Sequence, residues 1–393
     1  MGCGPSKWSD PVASHRRPAS VGEVVVFLPG LRAPRDMDLS QALGDFLEES
    51  IVERLSSLRA RVVAMATQES VTALKPKRAR HGGSSTANLL QALEEYLPVL
   101  LGLVKESSEL RNKVQFVWTN QEDVAQETSM ADPWSYGDGQ GPRVSEESRQ
   151  ATIDLFLKAA GYLECAIHHV LPQIPPERRR ELPVDLDEHN LKALSLQGLG
   201  QGVDMQLGLA IDNPKATLAV KRRLACEMIK CWQQVKDSIP ELPLSDGWGR
   251  KHALFVKWKY VEAKAAAYYF HGLILDEGET QRSEEMAIAA LQASEEFLNE
   301  SKRASDAFHT APPVSRSSGP FGTTKYILDM IPKDTLCKVQ SYHDLYPQER
   351  ASNVGTGKII TTLPTLPDFT LALSPEDYEL PQSDPLWKGA DHR

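Results

Sequence analysis

Two adjacent residues at the amino terminus carry groups suited to acyl chemistry. The chain opens Met1-Gly2-Cys3-Gly4-Pro5-Ser6-Lys7. Loss of Met1 exposes the α-amine of Gly2, and Ser6 stands where an N-myristoylation pattern requires it. The Cys3 thiol beside it is a natural S-acylation target once it is held at a bilayer. One myristoyl chain binds a membrane only marginally, and a second chain makes the attachment stable. Gly2 and Cys3 together therefore read as a myristate-plus-palmitate anchor. Lys7, Arg16 and Arg17 outweigh Asp10 over residues 1–20, a sign that suits an anionic cytoplasmic leaflet. Pro5, Pro11 and Pro18 among serines give this stretch the composition of an unstructured tether.

Elsewhere the residues that could do chemistry lack their partners. Gly198-Leu199-Gly200-Gln201-Gly202 is a fragment of a nucleotide-binding fingerprint, but it lies inside a helical pattern with no strand before it. Gly198 and Gly202 share a helix face there and let a neighbour approach. His168-His169 has no metal-ligating residue at helical spacing. The nucleophile-elbow and Walker patterns are absent. Cys3, Cys165, Cys226, Cys231 and Cys337 form no Cys-x-x-Cys pair and read as thiols of a reducing compartment. The expectation is a non-enzyme with no catalytic residue, metal, cofactor or small-molecule substrate. The basic stretch Lys75-Pro76-Lys77-Arg78-Ala79-Arg80-His81 leaves three readings open: a nuclear address, a contact for acidic headgroups, or a solvated connector. Lys221-Arg222-Arg223 and Arg178-Arg179-Arg180 read as solvated faces.

Composition narrows the class. The 393 residues carry a formal charge of −9, with 41% hydrophobic and 25% charged residues, as in ordinary globular proteins. No run reaches the roughly 18 apolar residues of a membrane span. The acidic balance argues against nucleic acid as a partner.

The elements that would position any site are mostly helical. Val24 to Leu28, followed by Pro29-Gly30, reads as a strand. Leu39, Leu43, Phe46, Leu47, Ile51, Leu55 and Leu58 repeat with helical spacing over 38–67. A second helix spans Ser85 to Lys105, with a kink expected at Pro98. Val114 to Trp118 is ambiguous between strand and helix, and 131–143 is a loop by composition. A helix follows Ser145, and prolines 172, 175 and 176 stop it. Further helices are expected at about 185–211, 214–238, 249–277 and 281–309, with Pro214 in a first helical turn. After Pro312 the pattern becomes irregular, with extended stretches such as Lys358 to Leu363. Short loops between long helices make antiparallel neighbours. The pair 258–277 and 281–305 has the alanines of a tetratricopeptide-type hairpin: Ala263, Ala265, Ala266 and Ala267 against Ala287, Ala289, Ala290 and Ala293.

The helix at 214–238 has more apolar arc than one neighbour needs. Leu218, Ala225, Ile229 and Trp232 form one stripe, Val220 and Leu224 lie on its flank, and Met228 falls between. Either two neighbours cover it, or the flank is open to a partner helix.

Leu194 through Ala210, Pro214 through Ala225, Lys259 through Tyr269 and Ala287 through Ser294 together resemble the central helices of the BRO domain family. The resemblance covers nearly the whole chain after the tether. It implies a mainly α fold: an elongated, curved helical array with a tetratricopeptide-like core and small β elements. It divides the chain into a tether at 1–20, a BRO-type domain at 21–385 and a tail at 386–393. It also implies binding of the C-terminal amphipathic helix of an ESCRT-III subunit of the CHMP class. Laid over the family pattern, the partner-binding patch falls at Leu207, Val220 and Leu224, with Leu207 replacing what is often an aromatic residue. Some family members carry a C-terminal prenylation box, whereas this sequence ends Gly389-Ala390-Asp391-His392-Arg393. The reading is a membrane-tethered adaptor of endosomal sorting, placed on the cytoplasmic face of endosome or plasma membrane and partly in the cytosol. The alternative is a helical repeat scaffold presenting another peptide or a signalling partner at the membrane.

Overall fold

Local rules decide where the first helices begin and end. Asp38 caps α1 (Leu39–Leu43) by accepting from the N–H groups of Ser40 and Gln41. The chain turns at Gly44 before α2 (Glu49–Ala73) starts, so the repeat over 38–67 is two helices rather than one. The computed structural model describes residues 32–34, 37–73, 83–105, 118–120, 146–180, 182, 186–239, 248–278, 280–312, 314, 322–345 and 362–389. Helix α3 (Gly83–Lys105) runs through Pro98. Arg32–Pro34 (β1) pairs antiparallel with Trp118–Asn120 (β2). The strand expected at 24–28, the loop at 131–143, the basic stretch at 75–81 and the tether at 1–20 lie outside the described residues.

The main array is built from six helices. Helix α4 (Glu146–Cys165) ends in a π turn and a 3-10 turn among the prolines. Helices α5 (Glu188–Asp212), α6 (Leu218–Ser238), α7 (Trp248–Asp276) and α8 (Gln281–Thr310) follow, each packed on the one before. Pro214 is not in a first helical turn. It sits in the α5–α6 connection, where Asn213 O accepts from Ala216 N–H, and Thr217 is the N-cap of α6. The α7–α8 hairpin is the most extensive pairing. Of the eight alanines at 263–267 and 287–293 all are buried except the partly exposed Ala293, and a Cβ at Gly272 would meet Leu291 Cγ at 2.9 Å, so the two backbones approach closely. The Ser294 hydroxyl crosses to Ala265 O at 2.8 Å.

The irregular stretch expected after Pro312 is corrected in part. Residues Gly322–Leu345 form a helix, α9, that packs on α8, α5 and α7. Ile327, Ile331, Thr335 and Tyr342 are its buried stripe, the i, i+4, i+8 spacing of an amphipathic helix. Pro332 inside it hides the pattern from a reading that treats proline as a stop.

Residues 362–384 then run without helix or strand, and Pro385–Gly389 form a 3-10 turn. This arm crosses the array and ends in a second core. The main core lies among α4 to α9, and Leu366, Phe369, Leu371 and Leu373 of the arm pack on it. The second core lies among α1, α2 and α3, and Trp387 is buried in it at 4% exposure. Trp387, within the stretch 386–393 expected as a tail, is thus packed against these helices.

Candidate functional site

Helix α6 has one face in the core and one at the surface. Ala225, Met228, Cys231, Trp232 and Val235 are buried. Trp232 meets Phe255 edge-on at 5.7 Å and lies against Gly200, where a Cβ would come within 3.1 Å of the indole. The stripe read from the sequence is thus the packing face. On the flank, Val220 is 46% exposed and Leu224 is half-buried.

Leu207 does not join them. It has no accessible surface and belongs to the main core. Helix α5 packs on α4, α6 and α9, and its residues from Ser195 to Met205 are all buried. A helix enclosed on several sides presents no patch. The candidate surface therefore reduces to Val220 and Leu224.

One helical row over from that pair, the arm forms a wall. Arg223 Nε donates to Glu227 Oε1 at 2.8 Å, and its guanidinium lies 5.7 Å from the Phe369 ring centre. Glu227, 1% exposed, accepts the Ala372 N–H on its other oxygen at 2.8 Å. Lys230 Nζ reaches Asp368 Oδ1 at 3.0 Å and Phe369 O at 3.1 Å. Arg222 is not a solvated residue either, since its Nη1 lies 3.3 Å from His271 Nδ1. Burial, and then Arg222, hold the His271 pKa below its ordinary value. Arg223, though exposed, thus lies against the arm, and Arg222 ties α6 to α7. A period-2 signal for the arm was present in the sequence: Phe369, Leu371 and Leu373 are partly buried while Asp368, Thr370 and Ala372 are exposed.

Helices α5 and α7 share a buried polar seam. Lys259 Nζ lies 3.1 Å from Asp204 Oδ2 and also pairs with Glu262. Burial opposes its charge, but Asp204 and Glu262 outweigh that and hold the ammonium above its ordinary pKa. His252 Nε2 meets Gln197 Oε1 at 2.8 Å, and burial pushes its pKa down to about 4. These buried groups tie α5 to α7 in a fixed register. Burial also raises the Cys226 and Cys231 thiols, to about 11 and about 12, so both stay protonated. His168 pairs with Glu164 at 3.2 Å. Glu164 also takes Lys192 and the Ser195 hydroxyl, each at 2.8 Å, so His168 borders this cluster, while the His169 carbonyl accepts from Gln173 Nε2 at 2.6 Å. Among the described residues no His/Cys/Asp/Glu group is arranged to hold a metal ion. Gly198 faces Phe156 O and Ala160 of α4, and Gly202 faces Leu373 of the arm. They admit neighbours, as their spacing suggested.

The order of helices, the long α7–α8 hairpin and the returning arm can be set against solved structures. No family model matches the sequence, and no curated protein does. ALIX BRO1 in complex with CHMP4C superposes with a TM-score of 0.58 over 92% of this chain and 98% of that one, at 16% identity. The chain has the BRO1 fold. ALIX in complex with the SIVmac239 PYKEVTEDL late domain gives a TM-score of 0.60 over 92% of this chain at 15% identity. This chain spans half the length of that longer ALIX chain. On the BRO1 fold seen here, the open apolar flank of α6 and the arm beside it make the candidate docking face.

Proposed function

We propose that this chain is a membrane-tethered adaptor whose α6 flank binds the C-terminal helix of an ESCRT-III subunit of the CHMP class in endosomal sorting. One observation carries the reading: on a BRO1 fold, Val220 is 46% exposed beside the half-buried Leu224. Residues at i and i+4 lie one turn apart on a single helix face, the spacing an amphipathic partner helix matches. ALIX BRO1, which shares the fold, has been solved with CHMP4C. No helix among the described residues is long and apolar enough to cross a membrane. Attachment in this reading comes from acyl chains on Gly2 and Cys3 at the cytoplasmic face. Holding both partners at one surface raises their effective concentration, so a weak contact suffices.

Calorimetric titration of the full chain with a peptide of the CHMP4C C-terminal helix tests the contact. Val220→Asp places a charge where the helix would desolvate it. That should weaken binding by roughly tenfold or more, about 1.4 kcal/mol, with no change in the thermal transition. Leu224→Asp should weaken binding further but also cost stability, because Leu224 packs partly on the core. Unchanged affinity in Val220→Asp rejects the site. Retention of Gly2→Ala in the membrane fraction of cells would reject the tether independently.

A further inference from the structure

The arm crosses α4 through a short and specific contact. Glu376 N–H donates to Leu157 O at 3.0 Å. A Cβ on Gly161 would overlap Glu376 O, so only glycine admits the arm this close. Two residues on, the Tyr378 ring stands edge-on against Tyr162, with centroids 4.3 Å apart at 81°. The Leu380 backbone then hydrogen-bonds the Cys165 thiol. Leu157, Gly161, Tyr162 and Cys165 thus form one track along α4, and Tyr378 sits at its centre, partly exposed.

The surroundings of Tyr378 are electronegative. Glu94 of α3 faces the same place. Its Oε1 accepts from Lys158 Nζ at 2.6 Å and from the Tyr162 hydroxyl at 2.7 Å. Lys158 is therefore already paired with Glu94. The arm adds the exposed carboxylates Glu376, Asp377 and Glu379. Burial, then Cys165 and Glu94, outweigh the nearby Lys158 and raise the Tyr378 pKa above its ordinary value, so at neutral pH the arm seats there as a neutral phenol.

We propose that Tyr378 is a phosphorylation site, and that phosphate on it releases the arm from α4. Its sequence context fits a tyrosine-directed protein kinase with a basic substrate groove. Carboxylates at 376, 377 and 379 flank a tyrosine in a segment that is outside any helix or strand and so needs no unwinding. In the reaction the Tyr378 Oη attacks the γ-phosphorus of ATP. The bond between that phosphorus and the oxygen bridging to the β-phosphate breaks, the phenolic proton passes to the kinase base, and ADP leaves. The product carries about −1.5 to −2 charge at neutral pH. Here it would meet the Glu94 carboxylate, which already holds Lys158, on an arm whose own charges at 376, 377 and 379 are all negative. Like-charge repulsion and the loss of the edge-on Tyr162 contact both push the arm away. The arm joins the two cores, so its release loosens α1–α3 from the main array. The proposal stands whether or not an ESCRT-III helix binds α6.

The test uses the full chain, the catalytic domain of a tyrosine kinase that prefers acidic substrates, and magnesium ATP. Peptide mass spectrometry locates the phosphate, and hydrogen exchange follows residues 366–387. The expected result is phosphate on Tyr378 and exchange of the arm faster by about tenfold or more. Tyr378→Phe keeps the ring, should keep the slow exchange, and should show no acceleration after the same treatment. The proposal is overturned if Tyr378 carries no phosphate, whether other tyrosines are modified or none is. Phosphorylated Tyr378 with unchanged arm exchange also overturns it, as does equal acceleration in Tyr378→Phe.

Discussion

Trp387→Ala tests whether the arm holds the amino-terminal helices in place. The Trp387 side chain is 4% exposed among α1, α2 and α3. Its Nε1 donates to Val99 O at 3.1 Å, and a Cβ on Gly102 would overlap its ring. Just before it, Asp384 N–H donates to Pro98 O at 3.1 Å, and the Asp384 carboxylate meets Arg54 at 3.3 Å. Truncating a buried tryptophan to alanine costs roughly 3–5 kcal/mol through lost burial and the cavity it leaves. The lost hydrogen bond accounts for about 1 of that. A domain is stable by only about 5–15 kcal/mol, and here the loss falls on the smaller of two cores. The expected outcome is therefore local. Hydrogen exchange in α2 and α3 should accelerate strongly, while α5 to α8 keep their protection. Urea unfolding followed by the same exchange should separate into two steps, the amino-terminal helices first. The reasoning fails if the loss is below about 1 kcal/mol, or if protection falls equally across both cores.

Two other outcomes follow from the seam between α5 and α7. Lys259→Met strands Asp204 and Glu262 in the interior without their cation. It should cost about 3–5 kcal/mol in urea titration, most of it recovered when Asp204→Asn and Glu262→Gln are added. A single variant as stable as wild type would contradict the ion-pair account. His252 supplies a pH dependence. Its folded pKa is about 4 against a reference of 6.5, so between those values the unfolded chain binds the proton and the folded chain does not. Its contribution is complete above pH 6.5 and is lost as pH falls toward 4, about 3 kcal/mol in all. His252→Gln should flatten that part of the stability profile, and an unaltered slope would refute the assignment.

Much of the array was legible in the residues themselves. Alanine stripes at 263–267 and 287–293 marked the tight hairpin, since only small side chains let two helix backbones approach. The face of α6 carrying Ala225 and Trp232 was readable from its period. The helix at 322–345 was not, because Pro332 and the Gly/Pro/Ser-rich run before it mimic a break. Its stripe makes sense only once α8 and α5 are there to receive it.

The candidate site divides along the same line. Periodicity placed Val220 and Leu224 on the flank of a stripe, because a helix's angular pattern is a local property of its sequence, and the family resemblance made them a patch with Leu207. It could not decide that Leu207 is enclosed: how many neighbours surround α5 depends on contacts between residues far apart in the chain. Nor could it join Glu227 to Ala372, or Trp387 to Val99, pairs separated by well over a hundred positions. Which faces are apolar was set by the order of the amino acids. Which of those faces remain open to water was decided by packing, since burial is a sum over neighbours that only the folded chain brings together.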